Sequence, residues 1–375
     1  MRAFGRWLSA LVLLAALLAA PPARAVSTFT VTNTNDSGAG SLRQAIIDAN
    51  GTANVGGPDV IDFDITGAGP HTIAPTSALP QIGEAVEIDG YCGTCDGAAP
   101  NTLAEGNDAI ITIQLDGTNG GSDVSGLDLG LGSSGSTIRG LSITGFDVDG
   151  IKIGGATATN QTVEGNFIGI DPTGADAGNG RDGVELFIGG HTIGGNTPAA
   201  RNVISGNDRH GIHLQGSLAT ATISGNHIGT NPAGTGAVAN GNSGISLASV
   251  VGATVGGSGA GEGNVVSGNG LYGISISSAS QTTVEGNRIG TDATGSAAVP
   301  NGSDGVIVNA GSDNTIGGTA AGSGNLISGN TGDGVTLWGD GNALEGNTIG
   351  LDATGMVELG NGGAFGAGVT VSSGA

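Results

Sequence analysis

The chain repeats itself, and the repeat leaves few folds open to it. Gly-Asn-x-Ile-Gly recurs at Gly165, Gly225, Gly286 and Gly346, at an almost constant interval. Ser-Gly-Asn recurs at Ser205, Ser267 and Ser328 with the same interval. A finer register lies inside this one. Gly followed by aliphatic-x-aliphatic begins at Gly126, Gly150, Gly183, Gly211, Gly244, Gly273, Gly305, Gly334 and Gly368, in alternating longer and shorter steps after the first. The long unit therefore holds two half-units of unequal length, each roughly 30 residues, which is the size of a solenoid repeat.

Each half-unit carries three short aliphatic segments. One reads Thr283-Val284-Glu285, then Arg288-Ile289, then Val306-Ile307-Val308; the next reads Thr315-Ile316-Gly317, then Leu326-Ile327, then Val335-Thr336-Leu337. Segments this short, alternating with period two, are half-buried strands. The Gly, Asn and Asp between them permit the left-handed turns that change direction. Three strands and three turns per step predict one coil of a solenoid, each strand stacking about 4.8 Å from its counterpart. A propeller would need four longer strands per repeat, and neither a Leu ladder nor a tandem Gly-Gly-x-Gly-x-Asp is present.

Composition agrees. The 375 residues include 77 Gly but only 11 Pro, with 11% charged residues and no three-residue Gly period, unlike collagen or a disordered chain. Aromatics make up only 3%, so the core must be aliphatic. The net charge of −22 argues against a nucleic-acid partner, which needs clustered Lys and Arg.

The ends and the cysteines add a setting. Arg2 and Arg6 precede an apolar run from Leu8 to Ala20, and Ala23-Arg24-Ala25 has the form of a cleavage site. Residues 1–25 read as a signal peptide and the protein as exported, secreted or at the cell surface, with no membrane span. Cys92 and Cys95, the only cysteines, would then close a local disulfide. Residues 26–125 read as an amino-terminal cap with the first irregular coils, and 126–375 as the regular coils. Ser41-Leu-Arg-Gln44 is a capping box, and Leu42, Ala45, Ile46 and Ala49 form one apolar stripe of a short capping helix. No comparable element follows Gly368-Val-Thr-Val371, so either the reading frame is truncated or a partner covers that end.

Phe29-Thr-Val-Thr-Asn-Thr-Asn-Asp36, Gly40-Ser-Leu-Arg-Gln-Ala-Ile46, Leu79-Pro-Gln-Ile82 and Val86-Glu-Ile-Asp-Gly90 resemble the amino-terminal region of exported bacterial β-helix proteins known by a CSLREA motif. Asn325-Leu-Ile-Ser-Gly-Asn330 with Gly334-Val-Thr-Leu337 is similar to the repeats of the pectin-lyase-like superfamily. The resemblance implies an all-β, right-handed parallel β-helix in an extracytoplasmic setting. It implies no activity, because that superfamily holds lyases, hydrolases, epimerases and adhesins. Gly40 stands where the motif has Cys.

The chemistry is sought on the outward faces. The Asn166, Asn226, Asn287, Asn347 and Asn207, Asn269, Asn330 columns repeat too regularly for catalysis and read as amide stacks at turns. The loops at Asp171, Asn231, Asp292 and Asp352 put an oxygen beside a Gly turn. No cofactor is called for; Asp171, Asp292 and Asp352 are calcium candidates, although each loop offers one or two of the six to eight oxygens needed, which favours simple Asx turns.

The middle residue of Gly-aliphatic-x-aliphatic must point outward. Reading up the stack it is Asp128, Lys152, Glu185, His213, Ser246, Ser275, Ile307, Thr336 and Thr370. The first four are ionisable. Arg139, Lys152, Arg181, Arg201 and Arg209 fall between positions 139 and 209, with His191, His210, His213 and His227 close behind and Asp147, Asp149 and Asp182 beside them. This reads as one cationic face on an acidic rod. The alternation fits a favourable cross-strand charge ladder. It also fits a site for an acidic polysaccharide or cell-surface glycan, with Asp149, Asp182 and His210 assisting. For a lyase, Lys152 or His213 would be the base and Arg181 or Arg209 the carboxylate neutraliser. For a hydrolase, Asp128 and Glu185 lie two rungs apart, about 9.6 Å by strand spacing, at the wide limit for inversion. The signatures of polygalacturonases and the Asp-Pro-His of alginate epimerases are absent. The first reading is therefore a binding or adhesin-like module, and the second a carbohydrate-active enzyme.

Overall fold

In a computed structural model, residues 26–91, 97–217, 220–363 and 366–372 are described. Residues 1–25, which read as a signal peptide, and the Cys92/Cys95 pair lie outside them. Three sheets, all parallel, run the length of the chain. Sheet A has eleven strands, from Thr28–Val31 to Ala343–Glu345; sheet B has ten, from His71–Ile73 to Thr348–Ile349; sheet C has nine, from Leu127–Leu129 to Val369–Val371. In the regular coils the chain visits A, B and C in turn, so every coil adds one strand to each. This is a parallel β-helix, with the right hand that parallel crossovers take.

The three segments expected of each half-unit are its three strands. Thr283–Glu285 lies in A, Arg288–Ile289 in B and Val306–Asn309 in C. The next coil repeats them at Thr315–Gly317, Leu326–Ile327 and Val335–Trp338. Inward residues stack like on like. Ile138, Val163, Ile193, Ile223, Val255, Val284 and Ile316 make one fully buried column in sheet A. Each such aliphatic side chain contributes about 1.5–3 kcal/mol relative to leaving it in water.

The half-units differ in length because alternate coils bulge at different corners. In one, the B-to-C connection carries a small hairpin whose antiparallel bridges are Ile170–Asp176, Thr230–Ala237, Thr291–Ala298 and Leu351–Glu358. In the other, the A-to-B connection is the long one. Where the A-to-B turn is tight, Gly is obligatory: Gly286 has φ +69°, and a Cβ there would collide with the Gly257 carbonyl oxygen.

The amide stacks are twice as dense as the Gly-Asn and Ser-Gly-Asn phrases suggest. One ladder runs Asn166, Asn202, Asn226, Asn264, Asn287, Asn325, Asn347, each Nδ2 donating to the next Oδ1 at 2.9–3.1 Å. A second runs Asn179, Asn207, Asn240, Asn269, Asn301, Asn330, Asn361 at 2.8–3.0 Å. Each amide also donates to a backbone carbonyl, satisfying a buried corner where neither strand ladder reaches.

The helix α1 (Leu42–Asn50) forms with Ser41 at its N-cap, but the capping box closes on one side only, since the Gln44 amide donates to Asp48 Oδ1 at 2.8 Å and the Ser41 N–H bonds Gly38 O. Ser41 Oγ accepts the Gln44 N–H at 3.2 Å, and Leu42, Ala45, Ile46 and Ala49 are the buried residues. It packs against Thr28–Val31 and Asp59–Phe63 at the amino-terminal end of the core.

Candidate functional site

The outward column of sheet C forms in the expected order. Asp128 pairs with Lys152, Lys152 with Glu185, Glu185 with His213 and His213 with Ser246, each in direct register on adjacent strands. Direction and exposure nevertheless part company. Asp128 and Lys152 are half-buried, whereas Glu185 is 2% exposed and His213 8%. What covers these two is the C-sheet rim, one residue upstream of each register Gly.

That upstream column reads Ser125, Asp149, Asp182, His210, Ser243, Tyr272, Asp304 and Asp333. Its carboxylates bind the backbone of the coil above. Asp149 Oδ1 accepts the Asp182 N–H at 3.2 Å, Asp182 Oδ1 the His210 N–H at 2.9 Å, Asp304 Oδ1 the Asp333 N–H at 2.9 Å and Asp333 Oδ1 the Ala367 N–H at 2.7 Å. These aspartates are thus partly structural. Asp149 and Asp182 have a further role because Glu185 and His213 lie beside them.

Asp182 Oδ2 lies 3.2 Å from His213 Nδ1 and 3.6 Å from an Arg209 Nη. Glu185 Oε1 accepts from Gln215 Nε2 at 2.8 Å, with His213 Nδ1 at 3.8 Å and an Arg181 Nη at 3.7 Å. Asp182 and Asp149 are fully buried, while Arg181 and Arg209 stay more than a third exposed. Burial pushes the Asp182 carboxyl up, but the His213 ring and the His210 N–H outweigh it and hold the carboxyl below its usual range. Burial, with the Glu185 carboxylate beside it, pushes Asp149 up to about 7. Burial drops His210 to about 4, and its Nδ1 accepts the Ser243 N–H at 3.3 Å. The hydrolytic pair is thereby disfavoured: Asp128 and Glu185 are two rungs apart, but Glu185 is sealed from any polymer.

One rung below, the surface opens. Gln81, Asp128, Gly130, Leu131, Lys152, Gly154, Gly155 and Phe187 line a hollow of about 430 Å³. Lys152 Nζ stands 5.8 Å from the Phe187 ring centroid, within cation–π range. Gln81 Nε2 donates to Asp128 Oδ2 at 3.2 Å. Gly130 makes the floor, since a Cβ there would collide with the Gln81 side chain. Phe187 and Leu131 expose apolar surface, Leu131 at 62%. Phe187 was legible as an outward position two residues beyond Glu185; Gln81, arriving from the amino-terminal region, was not.

The single cationic face expected from residues 139–209 does not form. That stretch of chain spans more than two coils, and each coil visits all three sheets. Arg139 lies in sheet A, paired with Asp89 at 2.7 Å and Glu87 at 3.1 Å. His191 is buried in sheet A and His227 in sheet B, where burial lowers them to about 4 and about 3. Of the expected basic cluster, Lys152, Arg181, Arg209, His210 and His213 alone share the sheet C face. Arg201 belongs to a larger hollow of about 720 Å³ between sheets A and B. Its guanidinium is spent on the carbonyls of Gly225, Leu103, Gly106 and Ala104, and Arg288 there faces Glu105 at 3.3 Å. Those cations are already matched within the protein.

The calcium candidates close Asx turns. Asp171 Oδ1 accepts from the Thr173 N–H, the Thr173 hydroxyl and the Ala175 N–H at 2.6–3.0 Å. Asp292 and Asp352 hold the Ser296 and Met356 N–H groups in the same way, at 2.8 and 3.2 Å.

No protein-family model and no curated protein matches the sequence. Among solved structures, the chain is similar to the A-module of a mannuronan C-5 epimerase from Azotobacter vinelandii, at 14% identity over 88% of this chain and 95% of that one, with a TM-score of 0.42. It is similar to a periplasmic alginate epimerase, at 14% identity over 84% and 75%, TM-score 0.41. A tailspike protein of bacteriophage CBA120 matches at 11% identity over 88% and 56%, TM-score 0.37. Likeness at this distance says nothing of function; the class is defined by the three sheets themselves, and the protein is a parallel β-helix. No helix among the described residues is long and apolar enough to cross a membrane.

Proposed function

We propose that this is an exported β-helix protein whose sheet C face binds an acidic glycan, serving as an adhesin-like or cell-envelope module. The observation that carries the reading is the Lys152–Phe187 hollow. An aromatic ring and Leu131 offer apolar contact to the C–H face of a pyranose, Lys152 offers a cation to a carboxylate, and Gln81 and Asp128 offer hydrogen bonds to hydroxyls. Arg181 and Arg209 extend the positive surface one and two rungs further along the rod.

Binding suits the geometry better than turnover, because Asp149, Asp182 and Glu185 are closed to a polymer. The lyase alternative is narrowed by the same burial: Lys152 remains an accessible base, whereas the His213 Nδ1 faces Asp182 rather than the surface.

The test is calorimetric titration of the chain with oligouronates and with neutral oligosaccharides of matched length. Saturable binding of the acidic series alone is expected, weakened at least tenfold by Lys152→Ala and by Phe187→Ala. Binding unchanged in both variants, or absent for every acidic glycan offered, refutes the reading. Unsaturated-uronate absorbance that grows with time and disappears in Lys152→Ala would establish the lyase instead.

A further inference from the structure

We infer that Asp182, Glu185 and His213, with Asp149 against them, form a binding site for one divalent transition-metal ion of the zinc class. The first observation is the donor set. His213 Nδ1, Asp182 Oδ2 and Glu185 Oε1 all lie within 4.8 Å of one another. The nitrogen is 3.2 Å from the Asp182 oxygen and 3.8 Å from the Glu185 oxygen. Tetrahedral zinc with bonds of about 2.0–2.2 Å sets its ligand atoms about 3.3–3.6 Å apart. The nitrogen already stands at nearly that separation from each oxygen, the donors lying on two adjacent strands and the turn before one of them.

The second observation is independent of the first. Asp149 is fully buried and its Oδ2 has no hydrogen-bond partner among the described residues, while its Oδ1 is held by the Asp182 N–H. A buried carboxylate oxygen with no donor is costly. Its neighbour is the Glu185 carboxyl, another acceptor, so the two carboxyls together lack a cationic partner on that side. A metal ion held by Glu185, Asp182 and His213 would supply that positive charge.

The surroundings fit an ion of this class. One imidazole with carboxylates suits zinc, cobalt or nickel, and three donors, one of them nitrogen, fall short of the six to eight oxygens that calcium takes. Gln215 Nε2 fixes the Glu185 carboxylate at 2.8 Å, as outer hydrogen bonds do around metal ligands. Arg181 and Arg209, at 3.7 and 3.6 Å, lie beyond ordinary hydrogen-bond range and leave those oxygens free to turn inward. Their partly exposed side chains also mark the way in. The His210 ring, 5.2 Å from that of His213, has its Nδ1 on the Ser243 N–H and stays outside the set.

The test uses the full chain, stripped with EDTA and titrated with cobalt(II) or zinc(II) chloride. One ion per chain is expected, with cobalt giving the intense visible absorption of a four-coordinate site. His213→Ala should weaken binding at least about a hundredfold and His210→Ala less than threefold. Because His213→Ala also removes a buried contact, Glu185→Gln is the second variant; it keeps the shape and should still lose at least about tenfold. Absence of saturable binding at 100 μM of either ion overturns the inference, as does affinity unchanged within threefold in both His213→Ala and Glu185→Gln.

Discussion

Asn264→Ala isolates what one rung of an amide ladder is worth. Asn264 is buried, its Oδ1 accepts from the Asn226 N–H and Nδ2 at 3.0 Å each, and its Nδ2 donates to Ile223 O at 2.8 Å and Asn287 Oδ1 at 2.9 Å. Alanine removes all four bonds, but their losses are unequal. The Asn226 Nδ2 keeps Ile193 O and Ser224 O, and the Asn287 Oδ1 keeps the Asn264 N–H. The Asn226 backbone N–H loses its acceptor in a place water does not reach. One orphaned buried donor costs about 1–3 kcal/mol and the lost bond to Ile223 about 1 more, so about 2–4 kcal/mol is expected. The matched control is Asn347→Ala at the last rung of that ladder, half-buried, with no further amide above it among the described residues. Water can replace its bonds, and about 1 kcal/mol or less is expected there. Urea denaturation followed by circular dichroism gives the two values, and amide exchange at Asn226 locates the damage. Equal costs at the two rungs, or a cost at Asn264 no larger than that of a neutral surface substitution, would refute the view that the ladders hold the corners.

Acid should unfold the protein through its histidines. Burial lowers His191 and His210 to about 4 and His227 to about 3 from an ordinary 6.5, so the unfolded chain takes up protons first. Their contribution is whole above pH 6.5 and is lost as pH falls towards 4 and then 3, which a series of melting temperatures would register. Asp149 runs the other way: raised to about 7 from 3.8, its contribution is full at acid pH and is lost as pH rises towards 7. Asp149→Asn, measured in EDTA, should therefore stabilise the protein at pH 8 relative to the parent and leave pH 4 little changed; equal effects at both would contradict the raised carboxyl. Arg201→Lys cannot reach four carbonyls at once, so the segment around Leu103–Gly106 should become the first site of limited proteolysis. Cleavage kinetics identical to the parent's would show that the guanidinium does not anchor it. For EDTA-treated protein, melting temperatures with and without excess calcium should coincide, because the Asp171, Asp292 and Asp352 oxygens are engaged in turns; a calcium-dependent rise that Asp292→Asn abolishes would establish the ion-site reading.

The coil was legible because its physics is local and repeated. A Gly at each register point, an aliphatic pair facing in and one residue facing out recur often enough to fix strand phase, and the pairing of Asp128, Lys152, Glu185 and His213 follows from counting. The amino-terminal helix was equally legible, since Ser41 caps it and four apolar residues share one face. Half of each Asn ladder went unread: Asn202, Asn264 and Asn325 end the long A-to-B connections, whereas Asn166, Asn226 and Asn287 follow tight Gly turns, so their stacking in one column shows only in space.

The site was less legible, for a reason tied to the same repeat. Proximity along a solenoid's chain is not proximity in space: near neighbours in sequence can lie on different faces, and residues a whole coil apart can touch. Arg139, Arg201 and His227 are therefore lost to the cationic face that their numbers suggested, while Gln81 joins a hollow with Phe187 from several coils away in the chain. The sequence by itself determined the repeat, its three strands per coil and the outward direction of the ionisable column. Only the tertiary structure decided which of those outward groups meet solvent. Glu185 and His213 disappear beneath a rim of Asp149, Asp182, His210, Arg181 and Arg209, because each rim carboxylate reaches across to the coil above rather than out into water.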